Sequence, residues 1–526
     1  MTPPWKPAWS LFISARWKLL LVIAAGVVTV AAILLGMFWP FSRSKVLKNV
    51  QEMWPGPVQV EMFHSTWFPH PGFVAENVTF TLRSDRAREP LLATVRKVTV
   101  QTTYINLFTR PGHLSSAVLE GLRVKIPVYT SQNTLPQGAT QEQKPAQDSD
   151  ARGQTTSFAS VYTQDAVLEV DRSRDQPPLL FAIHRLRLGS VRGDQPLTYE
   201  GTLHNPVPPG EIQASGRFGP WKSKELRDIP VSGSYKFSNA KLDVFAGIAG
   251  SLSSTGRFDG LLAAISAYGD LSIPEFELKS TRHPVNLKAK FQAKINGTNG
   301  DVVLDQVDAS YLHTEVHANG GITGKEGQHG KTMDVNLAVR EGHIEDVLHL
   351  FVRSSVSPMA GSTDFDAHVQ LPPGEAPFLK KVIMGGSFKI PQAVFTNRET
   401  QIKVDSLSKR ALGDKNMKDT PRICEDISGH LLLKNGIANF SSLSALIPGA
   451  SVTLAGPYEL PSHRIHLHGE LNTRAVLSQQ TTGIKSVLLK VVDPIFKRKH
   501  HGASVPVGIT GTYEQPHFGI DIPAKK

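Results

Sequence analysis

The sequence predicts a mainly β protein, tied to a membrane by one N-terminal transmembrane helix and carrying only a few short helices beyond it. Three observations lead there. Residues 19–41, LLLVIAAGVVTVAAILLGMFWPF, carry no charge. The long remainder alternates apolar and polar residues at a period of two. Units of glycine, one residue, then an aromatic or leucine recur along it.

The apolar run comes first. Residues 19–41 span about 35 Å as a helix at ~1.5 Å per residue, and a hydrocarbon core is about 30 Å thick. Trp17 and Trp39 stand at its two edges, where amphipathic rings favour the membrane interface. Arg16 and Lys18 precede it and Pro40 helps to end it, leaving residues 1–18 as a short tail. The rival reading is a cleaved signal peptide, with Val30-Ala31-Ala32 as the cleavage site. The run continues past that point into Met37, Phe38 and Trp39, whereas a signal core ends in small residues. An uncleaved anchor is therefore expected. Its orientation is not set by charge, because Lys6, Arg16 and Lys18 on one side balance Arg43, Lys45 and Lys48 on the other. The tail has no acidic residue and is too short for a domain, so the large body is expected to be the translocated part.

Composition places that body among folded proteins. Hydrophobic residues make up 40% and charged residues 20% of the chain, near globular averages. The net charge of +11 does not point to nucleic acid, since no block of Lys and Arg alternates with stacking aromatics. It suits a body close to anionic headgroups, where each nearby Lys or Arg adds ~1 kcal/mol. The single cysteine, Cys424, excludes an intramolecular disulfide framework and reads as a small apolar filler.

The clearest strand is LKAKFQAKI, residues 287–295. Leu287, Ala289, Phe291, Ala293 and Ile295 point one way, and Lys288, Lys290, Gln292 and Lys294 point the other. The same alternation predicts strands at 95–104, 167–172, 333–339, 464–471 and 505–513. Roughly 20–25 strands are expected at typical strand lengths. Gly216-Arg-Phe218, Gly233-Ser-Tyr235, Gly256-Arg-Phe258 and Gly386-Ser-Phe388 exemplify the glycine units. Their spacing is irregular, which favours a repeated architecture over a strict sequence repeat. Helical patterns are few: residues 44–54, 241–249, 343–353 and 474–496, the last closed by Pro494 and the basic residues 497–501. Residues 130–156 hold one leucine and almost nothing else apolar, and read as a disordered linker. It divides an N-terminal β region, 42–129, from a larger C-terminal one, 157–526. Residues 408–422 read as an exposed basic loop.

No catalytic signature is found. There is no nucleophile elbow, phosphate-binding loop or zinc-protease motif. His463, His466 and His468 lack a partner at metal-ligand spacing. Asp364 and Asp366 read as solvated strand residues. The chain is read as a non-enzyme, with no catalytic residue, cofactor or metal. The positive signal is a large antiparallel sheet whose apolar face has to be covered. A filled sandwich and an open trough both satisfy that demand.

Several stretches carry a family resemblance. FHSTWFPHPGFVAENVTFTL (63–82), VRKVTVQTTYINLFT (95–109) and LEGLRVKIP (119–127) resemble the N-terminal portion of AsmA-like proteins. PVSGSYKFSNAKLDVFAGIAGSLSSTGRFDGLL (230–262) and GTNGDVVLDQVDASY (297–311) resemble the body of that family. KSVLLKVVDPIFKRK (485–499) and VPVGITGTYEQPHFGI (505–520) are similar to its C-terminal region. The resemblance implies a single-pass protein of the bacterial inner membrane with its body in the periplasm. It implies a large curved antiparallel β-sheet groove of the repeating β-groove lipid-transfer type. It further implies phospholipid binding or movement toward the outer membrane, in support of envelope integrity. Leu287, Ala289, Phe291, Ala293 and Ile295 then become groove-lining candidates, and Trp17 and Trp39 membrane-interface candidates. Membrane lipids are the expected partner. The competing reading is an assembly factor for envelope or outer-membrane proteins, acting through sheet edges.

Overall fold

The structure, a computed structural model, describes residues 39–520 apart from residues 55, 246, 375 and 403 and the segments 84–88, 110–112, 128–156, 172–176, 192–194, 221–225, 325–329, 399–400, 406–423, 474–502 and 513–514. The tail, the anchor up to residue 38, the linker 130–156, the loop 408–422 and the helix at 474–496 therefore lie outside the described residues. Among the described residues, no helix is long and apolar enough to cross a membrane.

All the described strands belong to one sheet of 26. It opens with β1 (Val58–Thr66), β2 (Gly72–Leu82), β3 (Leu91–Gln101) and β4 (His113–Ile126). β5 (Ser157–Gln164) and β6 (Ala166–Val170) follow end to end and share one place, then come β7 (Leu179–Val191), β8 (Leu197–Pro206), β9 (Pro209–Phe218) and β10 (Pro230–Lys241). The short β11 (Ile248–Ala249) precedes β12 (Ser251–Leu261), β13 (Ala264–Leu278), β14 (Val285–Ile295), β15 (Val302–Tyr311), β16 (Thr314–Gly324) and β17 (Lys331–His343). The short β18 (Met359–Ala360) leads into β19 (Ser362–Leu371), β20 (Ile383–Phe395), β21 (Cys424–Lys434) and β22 (Ile437–Ile447). β23 (Ala450–Glu459), β24 (Arg464–Thr473), β25 (Ala503–Thr512) and β26 (Pro516–Ile520) complete it. With β5 and β6 counted as one and the two-residue β11 and β18 set aside, the sheet has 23 places. At ~4.8 Å per place it measures about 105 Å along its width.

Each of these places pairs with the next along the chain, and every pairing is antiparallel except the two that β4 makes with β5 and β6. β4 pairs in parallel with both β5 and β6, so the expected all-antiparallel sheet is a mixed one. The reason lies between them: the chain leaves the end of β4 and re-enters alongside its start. A parallel neighbour needs a crossover of a dozen or more residues, and residues 127–156 supply it. The N-terminal and C-terminal β regions are thus hydrogen-bonded into a single sheet.

Helices decorate the sheet. α1 (Arg43–Met53) runs along the first edge, where the Arg43 Nη2 donates to the Val60 carbonyl of β1 at 3.0 Å. α2 (Tyr104–Thr109) lies between β3 and β4. α3 (Ile344–Phe351) follows β17, and α4 (Phe378–Lys381) follows β19. The helix expected at 241–249 is instead one 3-10 turn, Leu242–Val244, followed by β11. Gly247 and Gly250 stand at φ +101° and +131°, a backbone that ends any helix there.

The sheet coils. Leu82 and Leu91, at the tip of the β2–β3 hairpin, form one buried cluster with Ile229, just ahead of β10. Six places in a flat sheet would part them by about 29 Å, whereas apolar contact requires approach within ~4.5 Å. Farther along, a Cβ added to Gly247 would stand 2.4 Å from the Cβ of Phe378 in α4, seven places on. Strand twist of about 20–25° per place accumulates into such coiling. Phe80, Leu82, Leu91 and Phe218 all sit on the apolar face by register, so the coil closes toward that face. α3 ties a third pair of distant strands. Its Ile344, Val347 and Leu348 pack over β20–β23, while Leu350 accepts a 2.8 Å bond from the Thr281 hydroxyl between β13 and β14. Buried Asp346 fastens its start, accepting from the His313 N–H at 2.8 Å and the Thr314 hydroxyl at 2.9 Å.

Ile229, 0% exposed, is the seam residue between the two ends of the first coil. Its replacement by alanine is expected to cost about 3 kcal/mol, the range for large-to-small changes in a core. Leu312→Ala, at a position 52% exposed, is expected to stay within ~0.5 kcal/mol. Urea unfolding of both variants checks this, and equal midpoints would mean that the seam carries no load.

Candidate functional site

Cα register fixes which residues share a face, because paired residues on neighbouring strands point the same way. One row can be followed from the first strand to the last. It starts at Ser65 of β1 and passes Phe73, Val100, Ala117, Val161 and Leu188. It continues through Tyr199, Gly216, Gly233, Phe258, Ala267 and Ala293. Leu304, Gly320, Val335, Val369 and Met384 follow. Leu433, Ala438, Tyr458, Ile465, Gly511 and Pro516 complete it. Past Ser65 every member is apolar, aromatic or glycine, and none is exposed. A second such row runs through Leu186, Gly201, Ala214, Tyr235, Gly256, Gly269, Phe291, Val307, Ala318 and Leu337.

The five candidates on β14 all fall on this face. Ala289 and Ala293 are buried, and Leu287, Phe291 and Ile295 are half-buried. Lys288, Lys290, Gln292 and Lys294 are exposed on the other side. Of the two tryptophans at the ends of the apolar run, Trp17 lies outside the described residues. Trp39 is 3% exposed, stacked on Trp67 at 3.8 Å and set against the apolar face of β1–β4.

The glycine units acquire a physical meaning here. Glycine and the aromatic two residues later share a face, and several rings of this face lie over a glycine of a neighbouring strand. A Cβ on Gly256 would fall 2.7 Å from the Tyr235 ring, and one on Gly269 would fall 3.0 Å from the Phe291 ring tip. A Cβ on Gly233 would fall 2.7 Å from the Tyr199 hydroxyl. Rings laid over glycines keep the face apolar and shallow. The tyrosines place their hydroxyls without breaking it. Tyr199 donates to the Ser232 carbonyl at 3.3 Å, and the Tyr235 and Ser254 hydroxyls are 3.0 Å apart. Ser254 donates onward to the Asp270 carbonyl at 2.9 Å. Burial pushes the Tyr199 phenol up to about 12 and raises that of Tyr235.

The face is covered unevenly. Trp39 and Phe41 cover its start, and α3 and α4 cover much of β17–β25. Between β8 and β16, row members from Tyr199 to Gly320 belong to none of the four buried clusters. Along this stretch Ala267 and Ala293 are buried, and Tyr199, Phe258, Phe291 and Leu304 are half-buried.

The opposite face is polar. Its charges pair across strands, as in Lys294 with Asp305 at 3.4 Å and His317 with Asp308 at 2.7 Å. A depression of about 850 Å³ on that side is lined by Asp308, His317, Asn336, Asp366, His368 and His430, among others. Asp364 and Asp366 are engaged structurally: Asp366 pairs with Arg340 at 2.5 Å, and Asp364 accepts the Glu341 N–H at 2.9 Å. His466 and His468 are neighbours with ring centroids 6.5 Å apart, and His463 bonds the Tyr458 hydroxyl at 3.1 Å. Among the described residues, no group of three or more His, Cys, Asp or Glu is placed to hold a metal. Cys424 is buried, and desolvation pushes its thiol up to about 11.

No family model, curated protein or solved structure matches this chain.

Sequence reasoning found the β14 residues but missed Tyr199, Tyr235, Phe258 and Leu304, which line the same trough. The glycine units were the signal for two of them, since Tyr235 and Phe258 each close one.

The raised Tyr199 phenol gives a sign. The folded chain keeps it neutral up to about 12, whereas the unfolded chain ionises it near the ordinary value of 10.0. Stability is therefore full below the lower value and is lost as pH rises between the two. Tyr199→Phe is expected to flatten part of that loss. Urea midpoints at about pH 9 and about pH 11 measure it, and an unchanged slope would contradict the buried phenol.

Proposed function

We propose that this chain is an AsmA-like, non-enzymatic, membrane-anchored protein that binds phospholipid in an apolar β-trough and moves it toward the outer membrane. Its body stands in the periplasm and supports the integrity of the envelope. The observation that carries the reading is the unbroken apolar row, whose members between β8 and β16 lie outside the four buried clusters. An acyl chain is the ligand whose chemistry suits such a surface. Each buried methylene contributes ~0.8 kcal/mol, and an open trough leaves the charged headgroup in water. Successive places offer the same kind of contact, so no single place holds the chain in a deep well. That property favours passage along the sheet over storage at one site. The anchor at residues 19–41 supplies the membrane end of the path.

The competing reading, an envelope assembly factor working by protein contacts, shares the anchor but makes no use of the trough. The two part at Phe291. In a filled core, Phe291→Asp buries a charge and unfolds the region, costing several kcal/mol. In an open trough, water or a headgroup relieves that cost, so the variant stays folded and loses lipid. On the other face, Lys290→Asp is expected to leave both stability and lipid content nearly unchanged. Thermal unfolding plus lipid mass spectrometry on the two purified variants separates the cases. A wild-type chain without lipid, together with an unfolded Phe291→Asp, would replace the trough with the assembly-factor reading.

A further inference from the structure

We infer that the β1–β2 turn and α2 form a second, peripheral membrane contact, inserting apolar side chains into the bilayer interface beside the anchor. This rests on the reading of residues 19–41 as a transmembrane anchor. Phe68, in the turn, is 87% exposed, and Ile105, on α2, is 74% exposed. Trp67 at 45% and Tyr104 at 39% stand with them, and the Tyr104 hydroxyl donates to the Trp67 carbonyl. These four belong to two adjoining connections, joined by that bond. An aromatic and aliphatic patch exposed to this extent marks an interaction surface.

The chain itself names the occupant. Trp39 stands near the end of the charge-free run, and it is stacked on Trp67 at 3.8 Å. The Ser65 hydroxyl donates to the Phe41 carbonyl at 2.6 Å, and the Lys45 Nζ donates to the Trp39 carbonyl at 3.2 Å. The point where the anchor meets the body is thus fastened to the very turn that bears Phe68. The patch therefore adjoins the point where the charge-free run enters the body. Trp and Tyr with an apolar body and a polar handle favour a membrane interface. α1, which follows at once, brings Arg43, Lys45 and Lys48 to the same place, matching anionic headgroups. With Phe68 and Ile105 inserted, the first places of the sheet stand against the bilayer, and the trough begins where lipid is available.

Single cysteines at residues 68 and 105 test this on the full chain. The native Cys424, buried with a raised thiol, leaves the new positions to react with an environment-sensitive fluorophore. Each labelled protein is reconstituted into phosphatidylcholine–phosphatidylglycerol vesicles containing doxyl-labelled lipid. Phe68→Cys and Ile105→Cys are expected to be quenched several-fold more than Leu312→Cys, an exposed control in the β15–β16 turn. Vesicle flotation is scored on the same samples. Chains that float but show no extra quenching at 68 and 105 overturn the contact alone. Chains that fail to float overturn the anchor reading and the contact with it. A blue shift at both labels that rises with protein concentration in detergent, without vesicles, assigns the patch to a second copy and also overturns the proposal.

Discussion

Register is the constraint on which everything else depends. In a sheet of period two, a slip of one residue at any interface would turn all later side chains to the wrong side. Here the apolar face survives every interface from β1 to β26. It does so across several β-bulges, among them those between Phe237 and Ala240, Val339 and Gly342, and Phe440 and Leu443. Asn239, Glu341 and Ser442 take left-handed backbones inside them. Each bulge restores the inward phase after an extra residue, so Phe237 and Ala240 both face the trough although they are three apart. Bulges also sharpen twist, which helps a wide single layer to coil.

Coiling follows from the same asymmetry. One face is a strip of side chains that water disfavours, and among the described residues no second sheet lies over it. The sheet reduces that exposure by curling toward it, sealing its ends with Ile229, Phe378 and α3. Seals of this kind are local. They hold the curvature yet leave a stretch that other apolar matter has to cover. A tether at the N-terminus and an apolar patch around it give that stretch a natural neighbour in the lipid bilayer.

Much of this was legible in the sequence, and what was not has a physical cause. β14 declared itself because its alternation is strict and unbulged. α1 and α3 were visible as short amphipathic stripes. β2 and β10 were obscured where Asn77 and Asn239 take left-handed backbones, the latter inside a bulge, and alternation changes phase. The parallel step at β4 was hidden because it is set by where a chain re-enters, which a composition-poor crossover does not encode. Tyr199 and Leu304 gave no sign of being lining residues, because facing direction is a property of pairing and not of the strand alone. The coil contacts between Leu82 and Ile229 and between Gly247 and Phe378 join residues far apart in the chain, beyond any local pattern.

The central claim is that one continuous apolar trough is open to lipid along its middle. Site-specific photocrosslinking in cells measures this most directly. A photoreactive amino acid is placed singly at Phe258, Phe291 and Leu304 on the apolar face, and at Arg257, Lys290 and Asp305 on the other. The account predicts lipid adducts at all three trough positions and none at the three opposite ones. Adducts to protein alone at the trough positions, or equal lipid labelling of both faces, would contradict it.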